Sequence, residues 1–151
     1  MAEITWFGHA AFKIEIANKI VLIDPWLDGN PVSPVKASEI TNADIVYVTH
    51  DHDDHLGDAF SLCKRTNATF VATVELSDYA EENDIKNVAG LNIGGSVEIE
   101  GVKLSVVQAF HTSPKGCANR SCHRRRRQNG LSRWRHWNLW RHATYWRTLQ
   151  T

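Results

Sequence analysis

The sequence predicts a mixed α/β domain, an α+β layered arrangement of one sheet and its helices, on three observations. Short apolar, β-branched runs recur as far as His111, two stretches of helical character interrupt them, and Gly, Pro, Asn and Asp cluster in between. A chain of 151 residues holds one such domain and is too short for two ordinary ones.

Glu3 to Phe7 reads as a short strand, and Ala11 to Ile16 alternates apolar and polar residues with the period of a half-buried strand. A tight turn is expected at Asn18-Lys19. Ile20 to Ile23 is a continuous apolar run, the mark of a strand covered on both faces, and Asp24-Pro25 stops it. Residues 26–38 have loop composition, with Gly29, Asn30, Pro31 and Pro34. Ile45 to Thr49 is the next strand, and it delivers the chain into His50-Asp51-His52-Asp53-Asp54-His55. A helix is expected over 58–65, a strand over 69–72 and a helix from Val74 to Asn83 capped by Thr73. Ser96 to Ile99 and Val102 to Phe110 form a hairpin turning at Glu100-Gly101, which leads to His111. Chemistry is expected at the strand ends.

The formal net charge of zero hides a division. All 17 acidic residues precede Cys117, with only 8 of the 17 Lys and Arg, so the front segment carries −9 and the remainder +9. No basic region followed by an apolar run opens the chain, and no stretch approaches the roughly 20 apolar residues that span a bilayer, so a cytoplasmic protein without membrane association is expected. Cys63, Cys117 and Cys122 read as free thiols, and the latter two beside His123 make only a weak zinc pattern.

Imidazole nitrogens and carboxylate oxygens are ligands for zinc and similar divalent ions, and the four candidates His50, His52, Asp54 and His55 fall within six residues at the strand-to-loop junction. His50 and His52, two apart in extended chain, point to one side. The turn that follows sends Asp54 and His55 to a second position nearby. A solvated polar loop would explain a single histidine, but H-x-H-x-D-H behind an apolar strand favours the metal reading.

This H-x-H-x-D-H, preceded by Thr49, resembles the signature of the metallo-β-lactamase superfamily, and the likeness extends to Trp6-Phe7-Gly8-His9-Ala10, Asp24-Pro25 and Phe110-His111. It covers 1–116 without a gap. More narrowly, the chain is similar to bacterial metal-dependent hydrolases related to ascorbate-phosphate lactonase. The resemblance implies the front half of an αβ/βα sandwich, with the inner face of its sheet left open to solvent. It implies two divalent metals, zinc preferred and manganese allowed, His50, His52 and His111 holding one and Asp54 with His55 the other. Asp24 would stand behind them, orienting a ligand histidine through its free ring nitrogen. His9 would contact substrate or a metal-bound oxygen. Asp54 would also orient the attacking hydroxide. The reaction implied is attack of metal-activated water on an ester, lactone or phosphoester-type bond of a small molecule, with the substrate itself unnamed by the fold.

The chain departs from the family after His111, where neither the bridging aspartate of a Gly-Asp-Thr turn nor a last histidine is found. The dinuclear site is therefore expected to be incomplete, which leaves open whether the truncated chain, a hydrolase by resemblance, is active or inactive. Residues 117–151 hold nine Arg, four Trp and no acid. Read one nucleotide later, Arg133-Trp134-Arg135-His136-Trp137 can encode Ala-Gly-Asp-Thr-Gly, the missing turn. Three tryptophans, each with a single codon, fall where the family wants glycine. The tail thus reads as a disordered, out-of-frame product. The competing reading is a non-catalytic metal-binding module whose Arg124 to Arg127 and Trp-Arg alternation bind nucleic acid. The frameshift accounts for composition and lost motif together, so a nucleic-acid partner is not expected. Oligomeric state is not legible.

Overall fold

In the computed structural model, which describes residues 2–109 and 111, the chain opens with three antiparallel strands, β1 (Glu3–Trp6), β2 (Phe12–Ile16) and β3 (Lys19–Ile23). The turn between β2 and β3 falls at Ala17-Asn18, one residue before the position expected. Ile16 pairs with Lys19, and the two residues between take φ of 52° and 61°. Two-residue hairpin loops of this hand match the twist of the strands they join, which is why the register closes there.

Three further strands extend the sheet in parallel: β4 (Ile45–Tyr47), β5 (Thr69–Thr73) and β6 (Val88–Leu91), giving the order β1-β2-β3-β4-β5-β6. β6 was not expected from the sequence, because its Val-Ala-Gly-Leu run is short and carries a glycine. Three helices follow their strands: α1 (Asp53–Leu56), α2 (Ala59–Thr66) and α3 (Val74–Glu82). Thr73 occupies the position before α3 with extended backbone, but its hydroxyl makes no capping hydrogen bond, contrary to its expected role. The hairpin β7 (Ser96–Ile99) and β8 (Val102–Ser105) turns at Glu100-Gly101 as predicted, with φ positive at both residues. β8 is shorter than expected and stops at Ser105.

The central strands are buried on both faces, as their continuous apolar runs require. On one face Leu22, Val46, Val48, Phe70 and Ala72 pack with Ala59, Leu62 and Cys63 of α2 and Leu76 and Ala80 of α3. On the other, Val21, Ile23, Ile45, Tyr47 and Val71 pack with Val102, Leu104 and Val106. The expectation of an open inner face is therefore corrected: the β7–β8 hairpin folds back over the middle of the sheet. Lys19 at the start of β3 reinforces this docking by pairing with Asp44 and with Glu100 at the hairpin tip, and both partners raise its pKa, Glu100 the more. The β1 margin stays open, where Ile4 and Trp6, in register with Ile14 and Phe12, are 64% and 61% exposed.

Cys63 is a free, buried thiol whose pKa burial pushes up to about 12, in keeping with an unreactive core residue. Among the described residues no helix is long and apolar enough to cross a membrane. The expectations for 117–151, including Arg124 to Arg127, the tryptophan repeat, Cys117 and Cys122, lie outside the described residues, as does Phe110.

Because Leu104 is 2% exposed and seals the hairpin onto the sheet, Leu104→Ala should lower unfolding free energy by about 2–5 kcal/mol, the usual cost of emptying a packed leucine site. Urea denaturation measures it. A cost near zero would mean that the hairpin does not cover the sheet.

Candidate metal centre

The predicted histidines converge where β3 and β4 end. Asp24 directly follows β3, and its N–H donates to the Tyr47 carbonyl (2.9 Å), prolonging the parallel pairing by one residue. β4 passes through Val48 and Thr49 to His50. His52 then takes the position before α1, its carbonyl accepting from the His55 and Leu56 amides (3.0 and 2.8 Å). This short helix, not foreseen from the sequence, carries Asp54 and His55. Gly57 ends it at φ 40° and ψ −119°, a conformation closed to other residues. A Cβ there would lie 2.5 Å from Trp26 Cα and 2.9 Å from the Pro25 carbonyl. The chain after Asp24 is thus pressed against the end of α1. Asp58 holds it there, one carboxylate oxygen accepting from the Leu27 and Asp28 amides (2.8 and 2.9 Å).

His9 arrives from the opposite side, on the turn between β1 and β2. Phe7 N–H donates to the Ala11 carbonyl (2.8 Å) and Ala11 N–H to the Gly8 carbonyl (3.0 Å). Asn30 Nδ2 donates to the Gly8 carbonyl from beneath (3.2 Å), and Trp6 Nε1 to the His9 carbonyl (2.9 Å). Gly8 has φ 94°, and a Cβ on it would meet Val32 Cγ2 at 2.7 Å. His9 itself has φ 51°, the left-handed region that non-glycine residues seldom adopt. Its ring stands edge-on to Trp26 and to His55, with centroids 5.4 and 5.2 Å away.

The donor atoms fall into two groups of three, within each of which they all lie within 4.8 Å of one another. His50, His52 and His111 form the first. Asp54 and His55 form the second together with His9, whose Nε2 is 3.4 Å from Asp54 Oδ2. His50 belongs to one group and lies with its ring centroid 4.0 Å from that of His55 in the other, so the two are adjacent. The donor set fits divalent ions. His50 Nε2 and His52 Nδ1 approach to 2.9 Å. Burial above all, then the neighbouring His55, His111 and His52, brings the His50 pKa down to about 3, leaving its imidazole neutral, the form that binds a metal.

Asp24 lies behind His55. It is 2% exposed, and its Oδ2 accepts from His55 Nδ1 at 2.8 Å, leaving His55 Nε2 for the centre. Sequence reasoning missed the positions of Trp26 and Asp58, whose contacts come only from the fold. It noted Thr49 as part of the signature but assigned it no task, although its side chain bonds both Asp24 and His50.

A family model described as a beta-lactamase superfamily domain matches residues 3–136. A UPF0173 metal-dependent hydrolase of Methanopyrus kandleri is 50% identical over 111 residues, 74% of this chain and 48% of its own. Another of that name, from Caldivirga maquilingensis, is 45% identical over 118 residues, 77% of this chain and 52% of its own. The chain spans about half the length of the curated relatives it matches. Among solved structures it is similar to Igni18, a metallo hydrolase of Ignicoccus hospitalis, with a TM-score of 0.68 and 32% identity over 74% of this chain and 50% of the other.

A ligand that binds only the folded state raises its stability by about 2.7 kcal/mol at a hundred times its Kd. Zinc(II) should accordingly raise the thermal midpoint over that in EDTA, and His50→Ala should remove most of the rise. Equal midpoints with and without zinc, read by circular dichroism, would count against the convergence as a metal site.

Proposed function

Because the chain belongs to the metallo-β-lactamase superfamily, we propose that its site is that of a metal-dependent hydrolase acting on an ester, lactone or phosphoester-type bond of a small molecule. One observation carries this reading: six residues with metal-binding atoms, from three separate segments, meet as two adjacent groups at the strand ends. A structural ion would need one group, closed by four protein ligands. Two neighbouring groups, neither with more than three protein ligands, leave room for a reacting molecule.

His50, His52 and His111 would hold one divalent ion, and Asp54 and His55 the other, zinc by the preference of imidazole and manganese allowed by the carboxylate. Such ions supply Lewis acidity and bring the pKa of water toward neutrality. The chain's own groups do the rest. Asp54, with two carboxylate oxygens, serves as a donor through one and takes a hydrogen bond from the attacking water through the other, fixing its direction. His9 is 41% exposed at the rim of the second group, where an incoming substrate meets it, and its ring N–H is suited to an oxygen of the scissile group. Trp26 braces that ring from the side, and Asp24 holds His55.

The chain, loaded with zinc(II) or manganese(II), should hydrolyse members of a panel of nitrophenyl esters, lactones and phosphodiesters, and EDTA should abolish turnover. Asp54→Asn should lower kcat/KM about 100-fold or more, the scale of a lost acid–base contact. Two ions bound per chain with no turnover on any class would reject hydrolysis for this chain and leave the non-catalytic metal-binding module.

A further inference from the structure

We propose that Thr49 is a positioning residue which, held by Asp24, sets the ring tautomer of His50 in the first donor group, while the same carboxylate oxygen sets that of His55 in the second directly. This rests on the metal reading of the site. Asp24 Oδ2 receives two hydrogen bonds, from Thr49 Oγ1 at 2.7 Å and from His55 Nδ1 at 2.8 Å. Its other oxygen accepts the Thr49 amide at 2.7 Å, which clamps the Thr49 backbone against the carboxylate. A carboxylate accepts only, and a hydroxyl has one proton to give. The Thr49 proton therefore points to Asp24, and the oxygen turns its lone pairs toward His50 Nδ1, 2.8 Å away.

The direction of each bond then follows without choice. His50 Nδ1 must carry its proton, as must His55 Nδ1, so both rings present an unprotonated Nε2 to the centre. For His50 that atom is the one beside His52 Nδ1, which places it in the first donor group. The relay His50 to Thr49 to Asp24, met at the same oxygen by His55, thus links the two groups through bonds that no ligand residue alone could make. Valine has the same shape as threonine but neither gives nor accepts a proton here, whereas serine retains both abilities.

Proton-coupled nitrogen NMR of the histidine rings at pH 8 tests this on the unsubstituted chain, with no ion added. His50 and His55 should both show the Nδ1–H tautomer, and an Nε2–H form of either overturns the proposal. In Thr49→Val, His50 should become a mixture of tautomers while His55 keeps Nδ1–H. Zinc(II) affinity of the first group should fall about 10–100-fold, the range for losing a hydrogen-bond partner behind a ligand. Thr49→Ser should restore both. Unchanged affinity in Thr49→Val, or a serine variant as weak as the valine one, would overturn the relay and make Thr49 a packing residue. The tautomers are read without metal. A chain that shows them but binds no zinc therefore fails the hydrolase reading and not this one.

Discussion

The carboxylate of Asp24 is where three separate parts of the chain are tied. Its amide extends the β3–β4 pairing, its side chain captures the first residues after β4, and it reaches α1 through His55. A buried carboxylate left without donors would be costly, by several kcal/mol in a dry interior. The fold surrounds this one with an amide, a hydroxyl and an imidazole. The donor groups therefore rest on the same parallel pairing that forms the core, and the site cannot shift without disturbing the sheet.

That sheet is covered on both sides. α2 and α3 protect one face, and the β7–β8 hairpin lies over β3, β4 and β5 on the other. The residue spacing of the hairpin has a second use. After β8 the chain runs on through Val106, which packs in the same apolar layer, and brings His111 back to His50 and His52. Core packing and the placing of His111 thus depend on one segment.

Much of this was legible from the residues. Continuous apolar runs identified β3 and β4 because a strand buried on both faces has no polar alternation to confuse it. His50, His52, Asp54 and His55 were legible because their spacing is local and their chemistry is shared. His111 and Asp24 needed the family resemblance, since neither has a neighbour that betrays it. Other features were hidden for physical reasons. β6 is half small residues, and its place depends on pairing with β5. The closed inner face depends on where a hairpin folds back, which alternation within its strands does not encode. Thr49 was visible as a letter, but its task lies in the direction of one hydroxyl proton.

His9 and Asp24 share a left-handed backbone, with φ of 51° and 43°. Single residues of this kind cost about 1–2 kcal/mol relative to ordinary conformations, so local preference at both places opposes the native geometry. Such sites are locally frustrated, and they hold only after their surroundings have set. The consequence is that each holds its conformation only through the bonds around it, the turn hydrogen bonds beside His9 and the three that Asp24 accepts, so a substitution that removes one of them relaxes the backbone as well as losing the contact.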